Sequence, residues 1–267
     1  MSKIVWITGA SSGIGAALAQ TYLRRGDRVI LSARRADELK NVAEVTGVAQ
    51  INYAILPLDL TETSNAEELV QKAQSFFGPI DVLINNGGIG HLGSVIEMSL
   101  EVERKVMETN LWGHVALTKA ILPHMLERNT GTIVIISSIL GYFGSPRLAA
   151  YSASKHAVLG YYDSLRLELA GSKINILTVA PGFINTEVTK RSVTANGIEY
   201  GKNSPAQEKG MDPMRFAAKL ISAIDRRKSH VVIGGYETLS VPFWKISPSL
   251  FYRAMMFLSG KARKKHK

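Results

Sequence analysis

Ile4-Val5-Trp6-Ile7-Thr8-Gly9-Ala10-Ser11-Ser12-Gly13-Ile14-Gly15 is the stretch that decides the fold. Its four apolar residues read as a short strand, and the glycines after them as a tight turn. Ala16 to Leu23 then reads as a helix, stopped by Gly26. Strand, glycine-rich turn and helix in that order are the layout of a dinucleotide site. The glycines let the backbone approach a pyrophosphate, and the helix start offers free N–H groups and the positive end of its dipole. The spacing is Gly-x-x-x-Gly-x-Gly rather than Gly-x-Gly-x-x-Gly. A strand-helix turn without any ligand would also use these glycines, so the rest of the chain has to decide.

Strand and helix alternate outward from this unit. Val29 to Ser32 is a second strand, residues 36–47 a helix, and Tyr53 to Leu58 a third strand closed by Asp59-Leu60. Glu67 to Phe77 is an amphipathic helix that Gly78-Pro79 stops, and Asp81 to Ile84 a fourth strand entering Asn85-Asn86-Gly87-Gly88. One long helix is predicted from Ser99 to Arg128, with Asn110 in its middle where helix propensity gives no reason for it. Ile133 to Ile136 is a fifth strand, Ala149 to Leu169 a helix, and Ile174 to Val179 a sixth strand ending in Pro181-Gly182. Asp212-Pro213 caps a helix to about Arg227, and Val231 to Ile233 is a seventh strand.

The pattern predicts a single α/β domain: a Rossmann-like, doubly wound parallel seven-stranded sheet with helices on both faces. Residues 1–237 make the dinucleotide-binding and catalytic domain, with the polar, loop-rich stretch 183–212 as a substrate lid. Residues 238–267 form an apolar and basic extension. Ligands of such sheets sit beyond the carboxyl ends of the strands. The glycine turn, Asp59, Asn85 to Gly88 and Ser138 all fall there.

The second strand ends in Ala33-Arg34-Arg35 with no acidic residue. An Asp or Glu at this place binds the ribose hydroxyls of NAD, whereas an arginine accommodates the 2′-phosphate of NADP. Arg34 is therefore expected to hold that phosphate, with Arg35 and Ser11 as helpers, and NADP(H) is favoured over NAD. The alternative is that both arginines only solvate the start of the next helix.

Tyr151 and Lys155 are four residues apart in the helix that follows the fifth strand, so they share one face. An ammonium beside a phenol favours the phenolate, which normally forms near pH ~10. Ser138, at the end of the fifth strand, can reach the same substrate oxygen. Taken alone, Tyr-x-x-x-Lys is a common surface pair.

In order along residues 3–236, these pieces resemble the short-chain dehydrogenase/reductase family: Thr8 to Gly15, Asp59, Asn85-Asn86-Gly87-Gly88, Asn110, Ser138, Tyr151-Lys155, Pro181-Gly182 and Thr186. The resemblance implies an oxidoreductase that interconverts a carbonyl and a secondary alcohol. It makes Tyr151 the acid/base, Ser138 rather than Ser137 its hydrogen-bonding helper, and Lys155 the group that holds the nicotinamide ribose and favours tyrosinate. Asn110 would position a water linking Lys155 to solvent. Cofactor contacts would come from Gly9, Ser11, Ser12, Gly13, Ile14, Gly15, Arg34, Asp59 (near the adenine) and Leu60. Asn86, Gly88, Tyr151, Lys155, Pro181, Gly182 and Thr186 complete them. It also implies a homodimer or homotetramer acting on a small-molecule substrate. Where the family usually has alanine this chain has Gly87, so a slightly looser turn is expected.

Leu140, Tyr142, Phe143 and Ile184, with Ile139, are candidates for the substrate pocket and suggest an apolar substrate; simple loop packing is the competing reading. His91 follows the Asn-Asn-Gly-Gly turn and is expected either as a solvated loop histidine or at the pocket edge. None of the six histidines pairs with another ligand at a metal spacing, so no metal is expected.

The chain has 267 residues, 46% hydrophobic and 20% charged, and no cysteine. That composition suits a globular domain in a reducing compartment, and the N-terminus does not read as a signal peptide, so a cytoplasmic setting is expected. The net charge of +10 is concentrated late: residues 238–267 hold seven Lys or Arg and no acidic residue, leaving +3 for the rest. The apolar run Leu250 to Leu258 is too short to span a bilayer. It is expected to pack on a second subunit or to lie at a membrane surface, with nucleic acid disfavoured because no aromatics interleave with the basic cluster. Two functions of other classes stand against the enzyme: a cofactor-binding sensor or scaffold without turnover, and a membrane-surface binder.

Overall fold

The computed structural model describes residues 2–264 apart from 63 and 196, with side chains as far as Phe257. The basic run Lys261 to Lys267 thus lies outside the described side chains. The chain opens with β1 (Ile4–Thr8), α1 (Gly13–Arg24), β2 (Arg28–Ser32), α2 (Ala36–Glu44), β3 (Tyr53–Ile55), α3 (Ala66–Phe77), β4 (Val82–Asn85) and β5 (His91–Leu92). It continues through α4 (Leu100–Met107), α5 (Gly113–Glu127), β6 (Gly131–Ile136), α6 (Ala149–Glu168), β7 (Ile174–Pro181) and β8 (Val193–Thr194). Last come α7 (Pro205–Glu208), α8 (Pro213–Asp225), β9 (His230–Ile233), α9 (Ser240–Ile246) and α10 (Pro248–Lys264).

Seven strands form one parallel sheet in the order β3-β2-β1-β4-β6-β7-β9. The strands are apolar on both faces, and successive side chains enter different cores. Val5 and Ile7, Val29 and Leu31, and Val134 and Ile136 join one core with Leu18, Leu39 and Phe216. Trp6, Ile30, Ile133 and Ile135 join the other with Val70, Ile121 and Val158. The order reverses between β1 and β4, which opens a crevice at their carboxyl ends.

Three features depart from the sequence reading. The single helix expected over 99–128 is broken by a π turn at Glu108–Trp112, centred on Asn110. The 183–212 stretch is partly ordered: β8 pairs with β5, Val193 matching His91, and α7 follows. His91 is fully buried in that small pair instead of solvated, because the pairing covers it. The hairpin α9–α10 seats Val241 and Phe251 against Ile139 and Phe143, beside the loop after β6.

Candidate active site

The turn after β1 is built for a close backbone approach. Gly9 and Gly13 have φ of +64° and +55°, in the left-handed region. A Cβ on Gly9 would stand 2.7 Å from Gly87 Cα. Thr8 ties this turn to the end of β4: its hydroxyl accepts from the N–H groups of Asn86 and Gly87, both at 3.0 Å. Asn86 reciprocates, its amide donating to the carbonyls of Thr8 and Gly9 at 3.0 and 3.2 Å. Ser12 precedes α1 but makes no side-chain cap, so the first-turn N–H groups stay available to an anion. These residues fit a dinucleotide.

Gly15 stands one step back from the others. It does not line the cavity; a Cβ there would fall 2.2 Å from the Gly9 carbonyl oxygen, so its role is to let α1 close onto the turn. Gly87 does not loosen its turn either, since Leu60 Cδ1 occupies the place of the missing methyl, 2.5 Å from an ideal Cβ.

A cavity of about 840 Å³ runs along the carboxyl ends of the strands. Gly9, Ser11, Ser12, Gly13, Ile14, Arg34, Arg35, Asp59, Leu60, Asn86 and Gly88 line it, as do Pro181, Gly182 and Thr186. Arg34 is exposed, while Arg35 pairs with Glu38 at 2.8 Å. Partial burial works against ionising Asp59, but bonds from the Thr61 N–H and hydroxyl, with the charges of Arg34 and Lys105, hold its carboxyl below the ordinary range.

Ser138, Tyr151 and Lys155 face the same cavity. Ser138 sits in extended backbone just beyond β6, where its hydroxyl accepts from Leu140 N–H at 3.1 Å. Tyr151 and Lys155 rise from the first two turns of α6, with Lys155 Nζ 5.7 Å from the Tyr151 ring centre. Lys155 is 4% exposed and donates to the Ile136 carbonyl at 2.9 Å. Burial pulls its pKa down to about 8. Burial pushes the Tyr151 phenol up, and the Ser138 hydroxyl draws it partly back. Burial is the larger of the two effects, so the net direction is upward.

Asn110 is fully buried and does not line the cavity. Its Oδ1 accepts from Ile89 N–H at 2.8 Å, and its Nδ2 donates to the Ile89 carbonyl at 2.9 Å and to Ser154 Oγ at 3.1 Å. The π turn aims this amide at the 86–90 segment, whose Gly88 lies against Lys155. Asn110 thus braces the 86–90 segment from behind.

Leu140, Phe143 and Ile184 line the cavity with Ile139, but Tyr142 does not. A short 3₁₀ turn, Ile139–Gly141, rotates Tyr142 outward, where its hydroxyl lies 2.8 Å from His230 Nε2 and its ring packs on Trp244. His91 also lies outside the cavity wall.

Sequence reasoning missed Arg191, Phe251 and Met255, all of which line the cavity. Arg191 reaches from the stretch before β8 to the start of α1, donating to Ser12 Oγ at 3.3 Å and pairing with Glu187 at 2.9 Å. No motif marks it; its basic charge in an otherwise polar insertion was the available signal.

A sheet reversed at β1/β4, a glycine turn at the start of α1 and a Ser–Tyr–Lys set on one cavity are the layout of a nicotinamide-linked oxidoreductase. Residues 3–197 match the family described as short chain dehydrogenase, and the chain belongs to that family. It is 40% identical over 258 residues to a dehydrogenase/reductase SDR family protein 7-like of Drosophila melanogaster, covering 95% of this chain and 79% of that one. It is 35% identical over 270 residues to dehydrogenase/reductase SDR family member 7B of Bos taurus, covering 98% and 83%. Among solved structures, a short-chain dehydrogenase from Streptomyces avermitilis superposes with a TM-score of 0.81 at 28% identity, covering all of both chains. An alcohol dehydrogenase from Thermococcus sibiricus, complexed with 5-hydroxy-NADP, gives 0.75 at 25% identity, covering 88% of this chain and 97% of that one.

Proposed function

We propose that this protein is an NADP(H)-dependent oxidoreductase that interconverts a carbonyl and a secondary alcohol on an apolar substrate. The observation that carries the reading is the convergence of Ser138, Tyr151 and Lys155 on the cavity that also holds the glycine turn. When bound, the nicotinamide supplies or accepts the hydride. Tyr151 holds the proton that meets the substrate oxygen, and the Ser138 hydroxyl works against the upward push of burial on its phenol. The Ser138 hydroxyl stabilises negative charge developing on that oxygen. Lys155 adds positive charge beside them and, on binding a ribose, would exchange the Ile136 carbonyl for the ribose hydroxyls. Ile139, Leu140 and Phe143 exclude water from the reacting end and favour an apolar substrate body.

The preference for NADP(H) is supported by Arg34 on the cavity wall at the end of β2, where no acidic residue stands, and by the NADP derivative in the archaeal relative. Two assays test the proposal. With a panel of apolar ketones and aldehydes, NADPH oxidation by Tyr151→Phe should fall by about 10²-fold or more, with cofactor affinity retained. Turnover at the parent rate would remove Tyr151 from the chemistry. Arg34→Asp should weaken NADPH much more than NADH, and an unchanged preference would show that Arg34 does not read the 2′-phosphate.

A further inference from the structure

Hydride transfer makes no use of the outer face of α9 and α10. Their inner face is committed: Val241 and Phe251 are buried, and the Phe251 ring lies 4.7 Å from that of Phe143. Outside, Leu239, Ile246 and Leu250 are 69%, 83% and 55% exposed, with Tyr236 and Tyr252 also exposed nearby. So much large apolar surface in one short segment marks an interaction site. Lys245 and Arg253 are interleaved among these residues and are also exposed.

Charge decides between the possible occupants. Residues 238–267 carry seven Lys or Arg and no acidic residue. A second copy docked face to face would bring two such segments together, and like charges at a desolvated contact are strongly unfavourable. An anionic lipid surface instead attracts each basic side chain and accepts the apolar ones into the boundary of its acyl region. Among the described residues no helix is long and apolar enough to cross a membrane, so the contact is interfacial.

We propose that the outer face of α9–α10 docks this protein on an anionic membrane surface, with Leu239, Ile246 and Leu250 at the acyl boundary and the basic residues among the headgroups. Phe251 and Met255, on α10 itself, line the catalytic cavity. Docking therefore holds a wall of the cavity within one helix of the lipid, where apolar substrates partition. This last consequence rests on the oxidoreductase reading; the docking does not.

The test is co-sedimentation of the full chain with vesicles of phosphatidylcholine alone and of phosphatidylcholine with about a third phosphatidylserine. The parent should pellet with the anionic vesicles only, and high salt should release it. Ile246→Asp with Leu250→Asp should weaken that binding by about tenfold or more, while the melting temperature and turnover of a water-soluble ketone stay at the parent values. Neither residue lines the cavity. Failure to pellet, or equal pelleting with neutral vesicles, would overturn the proposal. So would a parent dimer in solution that the double variant converts to monomers, since a second copy would then cover this face.

Discussion

Replacing Lys155 with Met should stabilise the cofactor-free protein at neutral pH while ending turnover. Lys155 is 4% exposed, and burial alone brings its pKa from 10.5 to about 8. The folded-state pKa lies below the unfolded one. Between about pH 8 and 10.5 the unfolded chain therefore holds more protons, and the stability of the parent rises with pH across that window. Below pH 8 both states are protonated and the folded state carries the whole penalty of a buried ammonium. A shift of this size corresponds to roughly 3 kcal/mol. Met removes the penalty but also the bond to the Ile136 carbonyl, a loss of about 1–2 kcal/mol that does not follow the same titration.

The Met variant should thus be more stable than the parent by roughly 1–2 kcal/mol at pH 7 and less stable by a similar amount above the unfolded-state pKa. The swing of roughly 3 kcal/mol between the two conditions amounts to about 6 °C in relative melting temperature for a chain of this size. Thermal melts of both proteins without cofactor, at neutral pH and near pH ~11, measure it directly. Parallel pH dependences for parent and variant would refute the reasoning, since they would mean that the folded ammonium is not desolvated.

Two further variants probe the cofactor end. Gly15→Ala puts a Cβ 2.2 Å from the Gly9 carbonyl and 2.6 Å from Asn86 Nδ2, where the first obstacle is backbone. It should cost about 1–3 kcal/mol in urea unfolding and weaken nicotinamide-nucleotide binding, and a parent-like unfolding curve would contradict the close approach. Arg191→Ala removes the guanidinium poised beside Ser12 at the start of α1. It should weaken NADPH by roughly fivefold in a fluorescence titration, with the difference shrinking as salt rises and kcat at saturating cofactor unchanged. A salt-independent loss would assign Arg191 to lid structure instead.

The fold was legible because most of its strands are buried on both faces, so their apolar runs stood out from the polar turns between them. The glycine turn, Ser138, Tyr151 and Lys155 were legible because backbone approach and proton handling admit few residue types at fixed spacings. Other features depend on geometry that neighbouring sequence does not encode. Tyr142 and Phe143 are adjacent and both aromatic, yet the 3₁₀ turn at Ile139–Gly141 sends one to His230 and the other to the cavity. Arg191, Phe251 and Met255 arrive from segments distant in the chain, and only tertiary packing brings them to the wall. Gly15 belongs to the motif by spacing, but that spacing does not reveal its close packing against the Gly9 carbonyl. The direction of the phenol's shift depends on burial and on the Ser138 hydroxyl, and the Tyr-to-Lys spacing reports neither.

Outside the site, local preference and global fold agree: Ser99 and Asp212 cap α4 and α8 with their own oxygens, and the sheet follows its apolar pattern on both faces. The departures gather around one cavity. Gly9 and Gly13 take left-handed backbone, Asn110 sits in a π turn, and Lys155 is buried with no carboxylate partner among the described residues. Three of them are tied together through the segment that follows β4. Asn110 clamps both backbone groups of Ile89, which fixes Gly88 against Lys155; Gly9 packs on Gly87, one residue back in the same segment. The 86–90 segment is therefore the mechanical link between the dinucleotide turn and the proton-handling lysine. Asn110 braces that link from outside the cavity.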